Sequence, residues 1–153
     1  MTSDNKIINK VRKYCTYQER SQQELRDKLY NWGLHKADVE KTIAQMVEEG
    51  FMSEERFAMA FAGGKFRIKN WGRIKIKLAL KQKKVSDYCI RKALNEIDNK
   101  DYRKTLEKLI SSYSKKISEK NTLKKNYKIA QHAIGKGFEP DIVWDFLRDD
   151  EGS

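Results

Sequence analysis

Leu34, Val85 and Phe138 each sit at the centre of the same apolar pattern. Five residues before them lie Leu29, Leu80 and Ala133, and nine before lie Leu25, Ile76 and Ile129. Five after lie Val39, Ile90 and Val143, and nine after lie Ile43, Leu94 and Leu147. Val85 follows Leu34 by 51 residues and Phe138 follows Val85 by 53. Each arm places its two apolar residues four apart, which is one face of a helix, and the central residue marks a tight turn between two such helices. Recurrence at this period implies stacked helical modules, none of which buries its apolar face alone. The expected fold is therefore all-α: three tandem three-helix repeats, helix-turn-helix-like modules in an elongated, curved arrangement. They are expected over residues 1–50, 51–98 and 99–153. No run alternates with period two for long enough to make a strand.

Local signals agree with this reading. Ser21-Gln22-Gln23-Glu24 is a capping box, and Gly33 is a left-handed stop for the helix it opens. Val39, Ile43 and Val47 form the stripe of a third helix that ends at Gly50. Ser53 caps the next, with Glu54 and Glu55 in its first turn, and Gly63-Gly64 is expected to bend it at most. Asn70-Trp71-Gly72 ends it, a helix from Arg73 to Lys83 follows, and Ser86 caps another. The last third reads as helices from about Asp101 to Lys120, from Asn121 or Thr122 to Gly135-Lys136-Gly137, and from Pro140 onward.

Charge is divided unevenly along these modules. Residues 1–56 balance to zero, whereas residues 57–86 hold nine cations and no acid. The excess of +11 over the chain thus falls largely in the middle repeat. Taking Arg73 to Lys84 as one helix, Arg73, Lys77, Lys81 and Lys84 fall within about 80° of arc, framed by apolar flanks. A polyanion or an acidic protein groove is the natural partner of such a surface, against the plainer reading of a solvated face. Trp71 is either a packing plug at a helix junction or a stacking residue. Arg56 either binds a partner or pairs with a local acid. The candidate binding residues are Arg56, Lys65, Arg67, Lys69, Trp71, Arg73, Lys75, Lys77, Lys81, Lys83 and Lys84.

Several functions lack the residues they need. Cys15 and Cys89 are far apart and fall in helical pattern, as buried thiols do, and His35 and His132 are solitary; no metal or cofactor is expected. Gly63-Gly64-Lys65 is too short for a phosphate loop, and no nucleophile is paired with a base, so the chain is not expected to be an enzyme. No apolar run reaches the ~20 residues of a membrane span, and the start is no signal peptide. A cytoplasmic monomer is expected.

Three motifs in order carry a resemblance: Ser21-x-x-Glu24-Leu25-x-x-Lys28-Leu29, then Gly50-Phe51-Met52-Ser53-x-x-Arg56-Phe57-Ala58, then Trp71-Gly72-Arg73-Ile74-x-x-x-Leu78. Together they resemble RecX, the bacterial regulator of the RecA recombinase. The resemblance runs over nearly the whole chain and is strongest from Ser21 to Val85; Ser53 stands where that family commonly has Asp, and both are good N-caps. It implies three three-helix repeats and a non-catalytic protein that binds in the groove of the RecA–single-stranded DNA filament. Filament growth, ATP hydrolysis, strand exchange and co-protease activity would fall, placing the chain in DNA repair, recombination and the SOS response. Contact with single-stranded DNA is expected to be weak and salt-dependent. The alternative is a direct DNA-binding protein, such as a tandem helix-turn-helix transcription factor, which would show a preferred duplex site.

Overall fold

The computed structural model describes residues 2–151, with side chains from 5 to 148. Among these residues the secondary structure is entirely helical: α1 (Thr2–Tyr17), α2 (Gln22–Asn31), α3 (Lys36–Glu48), α4 (Glu54–Lys69), α5 (Arg73–Gln82), α6 (Asp87–Asn95), α7 (Asn99–Lys116), α8 (Thr122–Gly135) and α9 (Pro140–Glu151). They form three successive three-helix repeats in an all-α fold.

The periodic anchors have a backbone cause. The Leu34 N–H donates to the Leu29 carbonyl, Val85 to Leu80, and Phe138 to Ala133, at 3.1, 3.1 and 3.2 Å. Each is the six-to-one bond of a Schellman turn, so the residue five positions back is the one whose carbonyl the turn closes on. This turn needs a left-handed residue just before each anchor. Gly33 and Gly137 supply it with φ of 90° and 102°; in the middle repeat the residue is Lys84, at φ 62°.

By compactness the chain divides into two units, Met1–Phe61 with Leu80–Ala93, and Ala62–Ala79 with Leu94–Ser153. The first holds a core of Val11, Cys15, Leu25, Leu29, Val39, Ile43, Met46 and Met52, closed by half-buried residues such as Trp32 and Phe51. The capping box at α2 is formed: the Ser21 hydroxyl accepts from the Glu24 N–H at 3.0 Å and the Glu24 carboxylate accepts from Ser21 N–H at 3.4 Å. On α3 the stripe differs from expectation. Met46 is fully buried and Val47 is 45% exposed, because the inner face runs Val39, Thr42, Ile43, Met46. Cys15 and Cys89 are buried free thiols.

In the second unit, Phe66, Ile76, Tyr102, Leu106, Ile110, Ile129, Ala133, Phe138, Val143 and Leu147 are buried. Helix α4 runs unbroken through Gly63-Gly64 and ends at Asn70, left-handed at φ 57°. Asn is the residue that tolerates this conformation best after Gly. Helix α7 starts earlier than its expected Asp101, because the Asp98 carboxylate accepts from the Asp101 N–H and caps it. It also stops at Lys116, short of the expected Lys120, so Ile117 lies beyond its last turn.

Candidate partner-binding surface

Of the residues the sequence brings forward, three cations are held by acids of their own unit. Arg56 bonds Glu19 Oε1 through Nε at 2.9 Å and the Gly50 carbonyl at 2.8 Å. Lys83 Nζ lies 2.9 Å from Glu24 Oε1. Arg73 is the most committed. Its Nη1 donates to Glu139 Oε2 at 3.0 Å, its Nη2 donates to Asn99 Oδ1 at 2.7 Å, and its guanidinium lies 3.8 Å from the centre of the Tyr102 ring. The Tyr102 hydroxyl accepts from the Arg73 backbone N–H at 3.0 Å and donates to Glu139 Oε1. Burial, and then the hydrogen bond to Glu139, hold this phenol above its ordinary pKa, so it stays protonated as the donor. Sequence reasoning groups Arg73 with the surface cations and does not find Glu139, which lies 66 residues away.

Gly72 joins the same knot. Its N–H donates to the Lys136 carbonyl at 2.8 Å, and the Ile74 N–H donates to the Gly137 carbonyl at 2.9 Å. The Trp-Gly-Arg run therefore fastens the start of α5 onto the turn between α8 and α9. Trp71 is half-buried beside this knot, with Lys65 Nζ 4.9 Å and Lys75 Nζ 4.6 Å from its ring centre. Its π face is occupied by two ammonium groups of its own chain.

What remains is an exposed set: Arg67, Lys69, Lys77, Lys81 and Lys84, without an ion pair among the described residues. On α5, Lys77 and Lys81 lie one turn apart beside Ile74 and Leu78, which are 41% and 57% exposed, while Ile76 and Leu80 are fully buried. The outer face of α5 is thus a short aliphatic strip edged by cations. Lys84 does not continue the row as a helical residue, because α5 ends at Gln82 and Lys84 turns left-handed.

Lys84 also makes a stability prediction. A left-handed L-residue costs about 1–2 kcal/mol, and glycine's greater freedom in the unfolded chain returns about 0.5–1 of it. Lys84→Gly is expected to stabilise the protein by about 0.5–1 kcal/mol in urea denaturation. A loss of stability would show that the Lys84 side chain holds something in the folded chain.

The model of the first three-helix domain of RecX matches residues 8–46, and that of the second matches residues 53–94. Between them they take in more than half of the chain. The chain belongs to the RecX family. A regulatory protein RecX of Streptococcus uberis is 30% identical over 131 residues, 85% of this chain and 50% of that protein. One from Clostridium perfringens (strain 13) is 31% identical over 133 residues, 84% of this chain and 61% of its own length. The chain therefore spans between half and two thirds of these RecX relatives. The crystal structure of RecX from Lactobacillus salivarius superposes with a TM-score of 0.85 at 24% identity, over 98% of this chain and 97% of that one, which extends the RecX fold through α7–α9. The exposed face of α5 lies within the second RecX domain.

Proposed function

We propose that this chain regulates the filament that RecA forms on single-stranded DNA, docking through α5 and disfavouring filament growth. ATP hydrolysis, strand exchange and co-protease activity fall as a result, without catalysis or cofactor on the part of this chain. It acts as a cytoplasmic monomer whose own contacts with single-stranded DNA are weak and salt-dependent. The observation that supports this reading is the mixed face of α5. Exposed Ile74 and Leu78 sit beside Lys77 and Lys81, which have no acid partner among the described residues. Aliphatic anchors edged by charge suit a protein surface, whereas phosphate contacts alone need no exposed aliphatic side chains.

The test is the steady-state ATPase of RecA on excess single-stranded DNA at moderate salt, titrated with this chain. Inhibition is expected well below one molecule per RecA, and Leu78→Ser is expected to raise the half-inhibiting concentration about tenfold. No inhibition at saturating protein would overturn the reading and make the chain a direct nucleic-acid binder.

A further inference from the structure

Among the described residues, Lys84 is the one left-handed position that is neither glycine nor asparagine. Gly33 and Gly137 close the matching six-to-one turns of the first and third repeats, so the chain carries its own controls for what this geometry prefers. Nothing among the described residues compensates the strain of a lysine in the middle repeat. Its side chain is exposed and has no ion pair. Its charge adds little at the end of α5, where Lys81 already stands in the last turn and Lys83 follows it. A strained residue that the fold does not need points to a use outside the fold.

We infer that the Lys84 ammonium receives one aspartate or glutamate side chain of the protein partner. This contact rests on the docking proposed above and adds a specific point of recognition to it. Lys84 lies on the rim of a small cleft of about 60 Å³, lined also by Ser21, Gln22, Gln23, Arg26, Glu54 and Lys83. The other charged groups of the cleft are already committed. Arg26 donates to both carboxylate oxygens of Glu40, at 2.7 and 3.2 Å. Lys83 is held by Glu24. The Glu54 carboxylate accepts from the Ser86 N–H at the start of α6. Lys84 is left as the uncommitted cation.

Two features select a single carboxylate over a phosphate backbone. With Glu40 and Glu24 counted beside the residues they pair with, three acids stand against three cations, so the site lacks the excess of positive charge that attracts a polyanion. The cleft also has room for a few water molecules or the end of one side chain, and not for a run of nucleotides.

The experiment compares Lys84→Gly, Lys84→Asn and Lys84→Arg by urea denaturation and by the RecA ATPase titration on the same preparations. Lys84→Gly is expected to raise the urea midpoint and, at the same time, the half-inhibiting concentration by about fivefold. Higher stability with weaker inhibition is a combination that partial unfolding does not produce. Lys84→Asn, uncharged but tolerant of the turn, should lose inhibition alike. Lys84→Arg keeps both charge and strain and should inhibit within about twofold of the unmodified chain. The gap between the unmodified and Lys84→Gly chains should narrow as salt is raised. Full inhibition by Lys84→Gly, an equal loss in Lys84→Arg, or a less stable Lys84→Gly chain overturns the inference. So does a fall in the affinity of Lys84→Gly for a labelled oligothymidylate, measured without RecA, as large as its loss of inhibition, which would assign Lys84 to phosphate. Failure of the unmodified chain to inhibit would overturn the docking and this contact together, whereas full inhibition by both chains removes this contact alone.

Discussion

Gly72→Ala is expected to destabilise the protein by about 3–5 kcal/mol, a large effect for a single added methyl group. A Cβ at this position would lie 2.3 Å from the Gly137 carbonyl carbon and 2.4 Å from both its oxygen and the Phe138 nitrogen. These are backbone atoms, and the bonds from Gly72 N–H to Lys136 and from Ile74 N–H to Gly137 hold them in place. No rotamer change relieves the overlap; the two segments must part and break both bonds. Overpacking alone costs about 1–3 kcal/mol and each broken bond about 1 more. At roughly 2–4 °C per kcal/mol for a chain of this size, the melting temperature should fall by about 6–20 °C. Gly64→Ala and Gly135→Ala are the controls. A Cβ at either meets nothing within 4 Å, both residues lie inside helices, and alanine is favoured there by about 0.5–1 kcal/mol. Equal melting of Gly72→Ala and the unmodified chain would remove the close approach from the account.

The helices and their repeat are legible because they rest on local rules. The Schellman bonds at Leu34, Val85 and Phe138 join residues five apart, and such short-range geometry leaves a periodic trace in the choice of apolar residues. Spacing misplaces the stripe on α3 by one residue for the same kind of reason. Val47 and Met46 are both apolar neighbours, and only the packing of Met46 into the α1–α2–α3 core separates them. The site is less legible. Spacing alone puts Arg73 and Lys77 in one basic row, although Arg73 finds Glu139 and Tyr102 across long stretches of chain and Lys77 stays in solvent. Glu139 carries a faint local signal, since it immediately precedes Pro140 at the start of α9 and the Val143 N–H bonds to its carbonyl.

Arg73→Glu and Lys77→Glu should consequently behave as opposites, despite adjacent places in the basic row. Removing the Arg73 guanidinium leaves the Glu139 carboxylate, whose side chain is 23% exposed, with a new acid beside it. It also takes the donor from Asn99 Oδ1 and the cation from the Tyr102 ring. Breaking a fully buried pair costs about 3–5 kcal/mol; partial exposure reduces that, and the missing cation–π attraction restores part of it, for a total of about 2–4 kcal/mol. Arg73→Lys should recover only part of the loss, because an ammonium does not span Glu139 and Asn99 as the planar fork does. Lys77→Glu, with no partner among the described residues to forfeit, should melt with the unmodified chain. Paired with Lys81→Glu, it should nonetheless raise the concentration that half-inhibits the RecA ATPase at least about tenfold, through charge reversal at the proposed docking face. Melting curves and ATPase titrations on the same preparations separate the two roles. An Arg73→Glu chain that melts normally but no longer inhibits would return Arg73 to the partner-binding surface. A Lys77→Glu, Lys81→Glu chain that folds and inhibits in full would take α5 out of it.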